Sequence, residues 1–340
     1  MAAATYPGRN MWVAIGIQTS MTTLAQVYSF MQPTEVGGFL EEFNTIESNR
    51  RLGTRFSGMP YVGTKQVPFS FTVEADPANL GRILLAAMGS EYTAPSVTSV
   101  VHNHIFRFAE DLPYITVLGY MAGVADTNST AIQSMRVRGA KISQLTLTGN
   151  IDEVITVSVE GIGMTASACS QVTTAFTTEE PWFLNAAVAV GQLSVGSTLA
   201  TSALFEEARE YELTINNAIA ADHRIHGSNN PVGIEEGSSE VTGRLVAVFN
   251  PYSFVEVNNF AAGNVRAIGL TVTAAKTTYS LPTTYAALEI GLDKVRYSGD
   301  SPSFDPDVIT VELPFKAEVS LISTYISIKN NKSLPYSAAV

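Results

Sequence analysis

The histidines come closest, in type and spacing, to the ligands of a metal site. Two of the four lie in His102-Asn-His104 and two in His223-Arg-Ile-His226. Histidines two residues apart on a strand present both imidazoles on one face, which is how a zinc site can begin. The sequence identifies no third ligand, and Arg224 interrupts the second pair. We therefore expect ordinary strand or loop histidines and no bound metal.

Nucleophilic and cofactor chemistry have no better support. The sequence contains no G-x-S-x-G elbow, no G-x-x-x-x-G-K-[ST] loop, no G-x-G-x-x-G turn and no H-E-x-x-H helix. Cys169 lies in a small, polar connector without a local histidine signature, so an unreactive thiol is expected. Three acidic pairs could serve a glycosidase, although adjacent carboxylates on loops are usually solvated: Glu41-Glu42, Glu206-Glu207 and Glu235-Glu236. We predict no catalytic residue, no cofactor and no enzymatic activity.

One basic cluster stands out in a chain with few positive charges. Arg50, Arg51 and Arg55 lie in a long segment before a predicted strand, and a long segment of the second half ends with Glu235 and Glu236. An ordinary solvated loop would explain the arginines. The alternative is that they dock on the acidic segment of another copy, a contact that would guide register more than it adds affinity. These five residues are our candidate contacts between copies.

Composition limits the class of protein further. Twenty lysines and arginines against 31 aspartates and glutamates give a net charge of −11, which disfavours a protein that grips duplex DNA. Only 15% of residues are charged, against about 25% in an average domain, so we expect neighbouring copies to cover much of the surface. A single cysteine excludes an intrachain disulfide. We expect no secretion signal and no membrane-spanning segment.

Patterns with a period of two dominate the chain and predict half-buried antiparallel strands. Clear examples are residues 67–73, 142–147, 155–159 and 268–272. Two other segments predict short amphipathic helices lying on a sheet, one from Asp76-Pro77 to Gly89 and one from Asn250-Pro251 to Gly263. Each starts with a side chain that can cap backbone N–H groups and ends with a glycine that tolerates the left-handed conformation. Their apolar faces are predicted to be Leu80, Ile83, Leu84 and Ala87 in the first, and Phe254, Val257 and Ala261 in the second.

The two helical segments are parts of an internal repeat, because Pro77 and Gly89 recur as Pro251 and Gly263 at the same offset of 174 in residue number. Val13-Ala-Ile-Gly16 recurs as Val188-Ala-Val-Gly191 at an offset of 175. Val154-Ile-Thr-Val157 recurs unchanged at 308–311, an offset of 154, so the second copy has 20 fewer residues between its helix and this strand. Matches in the same order indicate duplication. We predict two domains, residues 1–170 and 171–340, divided within the connector 165–181.

Several of these segments resemble the tail tube proteins of tailed bacteriophages, in particular those of long non-contractile tails. In the first half the resemblance is carried by residues 13–19, 63–67, 76–89 and His102-Asn-His-Ile-Phe106. In the second half, Tyr211-Glu-Leu-Thr-Ile-Asn-Asn217 and Gly237-Ser-Ser-Glu-Val-Thr-Gly243 are similar to later strands of the family. Together these segments extend over nearly the whole chain.

The resemblance implies a mainly β fold with two similar β-sandwich or barrel domains, each with a short flanking α-helix. It implies a structural virion protein that is assembled in the host cytoplasm into stacked rings, forming the tail tube through which DNA is delivered. Such tubes commonly have six domains per ring, so three two-domain chains would form a trimeric pseudo-hexamer, and a ring of six chains is the alternative. Exposed strand edges would pair with neighbouring subunits, and long loops would connect successive rings.

The same resemblance implies a set of partners besides further copies of the chain. They are the tape measure, tail terminator and distal tail proteins, with DNA passing transiently and no insertion into a membrane. A net charge of −11 permits a channel wall that does not bind phosphates. Two other classes stay open: a two-domain β-rich binding module, such as an adhesin or decoration protein on a virion or cell surface, and an all-β glycan-cleaving enzyme.

Overall fold

The computed structural model describes residues 11–47, 59–98, 101–121, 134–150, 153–169, 186–192, 203–205, 208–221, 224–273, 286–298, 309–319 and 324–337. Within them, nineteen strands and two helices confirm the predicted mainly β fold. The first half contains β1 (Met11–Ile17), β2 (Ser29–Met31), β3 (Pro33–Gly38), β4 (Glu42–Ile46), β5 (Tyr61–Glu74), α1 (Leu80–Met88), β6 (Gly89–Thr98), β7 (Val101–Phe108), β8 (Ile115–Met121), β9 (Ser134–Asn150), β10 (Thr156–Gly163) and β11 (Thr165–Cys169). The second half contains β12 (Ala186–Gln192), β13 (Ala203–Phe205), β14 (Ala208–Asn216), β15 (Glu240–Val248), α2 (Pro251–Ala262), β16 (Val265–Thr273), β17 (Ala287–Tyr297), β18 (Thr310–Ala317) and β19 (Thr324–Asn330).

One antiparallel sheet runs through both halves, and we call it the shared sheet. Its strands follow the order β3–β5–β10–β9–β14–β15–β18. The two halves meet where β9 pairs with β14, with Leu147 opposite Leu213. Alternate residues of β5, from Val67 to Val73, are buried, as the period-two pattern predicts. The core therefore lies against one face of this sheet.

Two further groups of strands flank the shared sheet. In the first half, β9 extends beyond it to pair with β8 and β11, and β8 continues through β1 to β2. In the second half the order is β13–β12–β16–β17–β19–β7–β6. Because β19 pairs with β7, the last strand of the second half joins the β6–β7 hairpin of the first half. Residues 165–169, at the start of the predicted connector, form β11 and pair with β9 of the first half.

The strand pairings of the first half recur in the second half. β1 pairs with β2 and β8, and β12 pairs with β13 and β16. β5 pairs with β3 and β10, and β15 pairs with β14 and β18. The β6–β7 hairpin has no counterpart between α2 and β16. It spans Gly89 to Phe108, which is 20 residues and equals the difference between the two sequence offsets.

Both helices end as predicted, and α2 also begins as predicted, but α1 begins later. Gly89 and Gly263 adopt left-handed conformations, with φ of 95° and 64°. The Asn250 side chain caps α2, whereas α1 begins at Leu80, three residues after Pro77, because Asp76 Oδ1 holds the preceding turn by accepting from two backbone N–H groups.

Burial of the two helices departs from the predicted amphipathic pattern. All nine residues of α1 are buried, because β1, β6, β7 and β9 surround it and Tyr336 packs on Gly81. On α2 the predicted inward residues Phe254 and Ala261 are exposed, and the buried residues are Ser253 and Glu256. The prediction was wrong for these two residues, because a buried ion pair of Glu256 sets the inward face, but Val257 is half-buried and packs against the core as predicted.

Candidate functional site

The face of the shared sheet opposite the core is polar. The period of two places hydroxyl and amide side chains there on neighbouring strands, including Ser70, Thr72, Gln144, Thr146, Thr148, Thr156, Ser158, Thr214, Thr242 and Thr310. Their exposed or half-buried neighbours on the same face are seven glutamates: Glu35, Glu74, Glu160, Glu210, Glu212, Glu240 and Glu312. Hydroxyls of adjacent strands hydrogen-bond each other, as in Thr72–Ser158 and Thr146–Thr214, both 3.2 Å. We call this surface the polar face.

Basic side chains on the polar face are held by its carboxylates. Arg244 Nε donates to Glu212 Oε2 at 3.1 Å, and its guanidinium lies 3.6 Å from Glu312 Oε1. The hydrogen bond to Glu212 raises the pKa of Arg244. Lys316 Nζ lies 2.5 Å from Glu240 Oε1. With seven glutamates against these two cations, the described part of the face is negative and both of its basic groups are already paired.

No strand of the described part of the chain covers the outer edge of β3. Within the described residues, β3 has one strand partner, β5, which covers its other edge. Strand β14 of the second half, by contrast, has partners on both sides, β9 and β15. An unpaired strand edge presents backbone groups that can extend a sheet into another chain. This edge can therefore receive a strand of a neighbouring copy.

A second exposed surface lies on β4 and residues 61–66 of β5, which we call the arm. Every residue of β4 is exposed. Six large apolar side chains on or next to the arm are 50–89% exposed: Leu40, Phe43, Ile46, Met59, Tyr61 and Val62. Several exposed large apolar side chains on one short segment favour a contact with another protein.

The base of the arm is fixed to the rest of the molecule. Lys65 Nζ lies 2.8 Å from Glu41 Oε2, and the Lys65 N–H donates to the Asn229 carbonyl at 2.8 Å. Arg224 Nη1 donates to both the Lys65 and Asn229 carbonyls at 2.9 Å. The arm is thus joined to a loop of the second half at its base.

The predicted contact residues have different outcomes. Arg50, Arg51 and Arg55 lie between β4 and β5, outside the described residues. Glu235 is exposed, and its backbone pairs with Ala220. These assignments stay predictions.

Glu236 makes its contacts within the chain. Its Oε1 accepts from Lys141 Nζ and, at 3.0 Å, from the Leu112 N–H. Burial alone would raise the pKa of Glu236, but these hydrogen bonds outweigh it and lower the pKa. Any role of Glu236 between copies would have to coexist with this ion pair.

His104 and Cys169 make ordinary structural contacts, whereas His223 lies outside the described residues. His104 lies between Glu91 Oε1 and the Lys332 carbonyl, both at 2.8 Å. Burial raises the pKa of the Cys169 thiol. Within the described ranges, no three histidine, cysteine, aspartate or glutamate side chains gather as a metal site. Among the same residues, the structure contains no helix with the length and apolar character to cross a membrane.

Sequence reasoning missed the polar face, the open edge of β3 and the apolar arm. The first left a signal, because Glu210 and Glu212 alternate with Tyr211 and Leu213 in a period-two run. The other two depend on which strands pair, and single-strand patterns do not contain that information.

The sequence also matches a known family over most of its length. No individually curated protein matches the chain significantly. The family model described as phage tail tube protein matches residues 8–317 of 340. That match, over a mainly β chain with exposed surfaces suited to self-assembly, shows that the chain belongs to the phage tail tube protein family, which is structural and located in the virion tail.

Proposed function

We propose that copies of this protein close into rings by continuing the shared sheet from chain to chain, and that the rings stack into a tube that conducts DNA into the host. The observation that carries this proposal is the β9–β14 junction. There, seven residue pairs from Glu210–Asn150 to Asn216–Gln144 join two sheets into one. The same type of junction, made between chains, would cover the open edge of β3.

The repeated pairings support the view that the two halves are copies of one unit, divided near residue 170. Val157 lies opposite Val73, and Val311 lies opposite Ala247. Val157 and Val311 are separated by the offset of 154 found in the sequence, and Val73 and Ala247 by the offset of 174. The bulges in β3, at Pro33/Glu35, and in β14, at Ala208/Glu210, are likewise related by an offset of 175. On this basis β3 corresponds to β14. Each chain would then contain one junction that is paired within the chain, at β14, and one at β3 that is left for a neighbouring copy.

Two units per chain favour a ring of three chains. Six units per ring are common in tubes of the kind this sequence resembles, and three copies of a two-unit chain supply six. A ring of six chains would contain twelve units and is the alternative. In the trimer, the second half of each copy would pair with β3 of the next, and closure leaves no edge open.

The polar face is our proposed channel wall. Phosphates bind where cations can replace their counterions, and Arg244 and Lys316 are already paired with glutamates. Hydroxyls and carboxylates would let DNA pass without strong attachment. The arm would then contact the next ring, with Arg50, Arg51 and Arg55 from the same segment and Glu235 and Glu236 as candidate residues. The tape measure, tail terminator and distal tail proteins would meet the tube at its lumen and ends.

Electron microscopy of proline and alanine variants of Thr34 tests the ring junction. Thr34 lies in the β3 bulge without a register partner in β5, and its Oγ1 donates to the Thr72 carbonyl at 3.1 Å. Both Thr34→Pro and Thr34→Ala remove that side-chain bond, but only proline also removes the backbone N–H of Thr34 and disfavours pairing of β3 with a further strand. We expect wild type and Thr34→Ala to form rings or hollow tubes and Thr34→Pro to remain as folded subunits. Equal assembly of all three proteins would reject the β3 edge as the ring junction. Wild-type subunits that stay monodisperse under all assembly conditions would reject the proposal that the protein forms a tube.

Stacking is tested separately from ring closure. Phe43→Ser with Ile46→Ser removes apolar surface from the arm, and Arg50, Arg51 and Arg55 changed together to Ser removes its basic cluster. We expect each variant to form single rings with few or no stacks. Tubes of normal length formed by the first variant would exclude the arm as the contact between rings. Tubes of normal length formed by the second variant would exclude the three arginines as part of that contact.

A further inference from the structure

A cavity of about 200 Å³ lies beside α1. The segment that follows β1 forms one wall, including Gln18, Leu24 and Val27, and the other is formed by Arg82, Tyr336 and Ser337. Thr19, Thr23 and Gln26 are exposed at its rim, so solvent can enter. A single water needs only about 10–15 Å³, which leaves room for a polyatomic ion.

Arg82 is a cation in this cavity wall for which the described residues provide no bonded counter-ion. It is 3% exposed, and its Nε and Nη1 are buried without a hydrogen-bond partner among the described residues. Glu91 interacts with it electrostatically, but Glu91 Oε1 bonds His104 and Oε2 accepts from the Tyr336 and Ser337 N–H groups. A buried charge without a bonded counter-ion is costly.

A second cation adds to the positive charge around Arg82. Burial and the nearby Arg82 lower the pKa of Lys332 to about 8, although Glu91 opposes them. Burial likewise lowers the pKa of Arg82 itself. Both cations interact with the same carboxylate, Glu91. The positive charge here therefore exceeds what Glu91 alone can balance.

The residue of the second half that corresponds to Arg82 is Glu256, which follows it at the helix offset of 174 and is also buried. Unlike Arg82, Glu256 has an oppositely charged partner within the same half. Arg266 donates to it at 2.6 and 3.1 Å, and the Tyr297 hydroxyl donates at 2.8 Å. One half thus supplies its own acid and base, while in the other half Arg82 has no bonded acid among the described residues.

We propose that the Arg82 cavity binds an oxyanion, a carboxylate or phosphate group, that completes this buried ion pair. The guanidinium donates in a planar fork that suits such oxygens, and Arg82 lines the cavity with two of its guanidinium nitrogens unpartnered among the described residues. The oxyanion comes either from a free small molecule or from an acidic side chain of a second copy. The second source rests on the proposed self-assembly, and the first does not.

Thermal unfolding of unassembled subunits tests the free-ion source. Wild type, Arg82→Met and the exposed-arginine control Arg296→Met are stripped of anions and titrated with inorganic phosphate and, separately, acetate. At about tenfold above the dissociation constant, one of these ions should raise the unfolding midpoint of wild type and Arg296→Met by about 2–4 °C. Arg82→Met should show no rise, and it should be no less stable than wild type without anions. If Arg82→Met does not fold, Arg82→Gln replaces it.

Assembly kinetics of the same proteins in anion-free buffer test the second source. If neither ion shifts the midpoint, the remaining source of the oxyanion is an acidic group of a neighbouring copy. In that case we expect Arg82→Met to assemble at least about tenfold more slowly than Arg296→Met. Absence of both effects overturns the proposal. If wild type itself does not assemble, the tube proposal fails, and the phosphate and acetate titrations alone then decide for or against the oxyanion site.

Discussion

Alanine at Gly81 should be destabilising in wild type but stabilising once Tyr336 is removed. Tyr336 is 1% exposed, and its hydroxyl accepts from Asn330 Nδ2 at 2.7 Å and donates to the Ala78 carbonyl at 3.0 Å. A Cβ on Gly81 would lie 2.2 Å from Cε2 of the Tyr336 ring, which is far inside contact distance. The side chain of Tyr336 therefore occupies the space that any residue larger than glycine needs.

The magnitudes follow from this geometry. Overpacking in a dense core costs about 1–3 kcal/mol, while replacing a helical glycine by alanine gains about 0.5–1 kcal/mol. Gly81→Ala alone should therefore lose about 1–2 kcal/mol of unfolding free energy. Tyr336→Ala alone should lose about 3–5 kcal/mol. In the Tyr336→Ala background the clash is gone, so Gly81→Ala should gain about 0.5–1 kcal/mol, which gives a coupling energy of about 1.5–3 kcal/mol.

Urea unfolding of unassembled subunits, followed by circular dichroism, measures all four proteins of this cycle. Tyr336→Phe is the matched control, because it retains the ring, and so retains the clash with the introduced methyl group, while losing only the hydroxyl contacts. Gly81→Ala should thus stay destabilising in the Tyr336→Phe background. The reasoning is refuted if Gly81→Ala destabilises wild type and Tyr336→Ala equally.

Three further changes test other buried groups. Glu256→Gln should cost about 3–5 kcal/mol of unfolding free energy, because it leaves a buried arginine uncompensated, whereas Glu318→Gln in an exposed pair should cost less than about 1 kcal/mol; comparable losses in urea would contradict this. Because Lys141 helps to lower the pKa of Glu236, this pair should stabilise the fold above the unfolded-state pKa of the carboxyl and lose that contribution as pH falls through the folded-state value. Lys141→Met should therefore flatten the acid limb of a stability–pH profile, and an unchanged limb would exclude the pair. Tyr211→Phe should raise the unfolding midpoint or leave it unchanged, because the buried Tyr211 hydroxyl has no partner within the described residues, and a clear fall would show a missing bond.

The sequence predicted strands and helix ends well because these depend on local chemistry. The alternation of apolar and polar residues in 67–73 requires only that one face of the strand is buried. Gly263 ends α2 through its own backbone conformation. Burial of the helices could not be predicted in the same way. α1 is enclosed because Tyr336, which comes from the opposite end of the chain, and the β6–β7 hairpin cover it.

The candidate site could be predicted only in part, for a related reason. The carboxylates of the polar face were visible as alternate positions, but their alignment across strands depends on registers such as that between β9 and β14. Glu236 was expected to face another copy, and its ion pair with Lys141 required two distant segments to meet. Contacts between residues far apart in the chain carry no signal in a short window of sequence.

The pairing of β19 with β7 has a consequence for the newly made chain. The edge of β7 that faces Tyr325 to Asn330 stays uncovered while the ribosome synthesises all of the chain from β8 to β18. Asn330 also donates to the Pro77 carbonyl, far earlier in the chain. The amino-terminal half therefore cannot reach its final state until β19 has been synthesised, and an uncovered edge over that interval invites aggregation, so the yield of usable subunits depends on how fast β19 arrives.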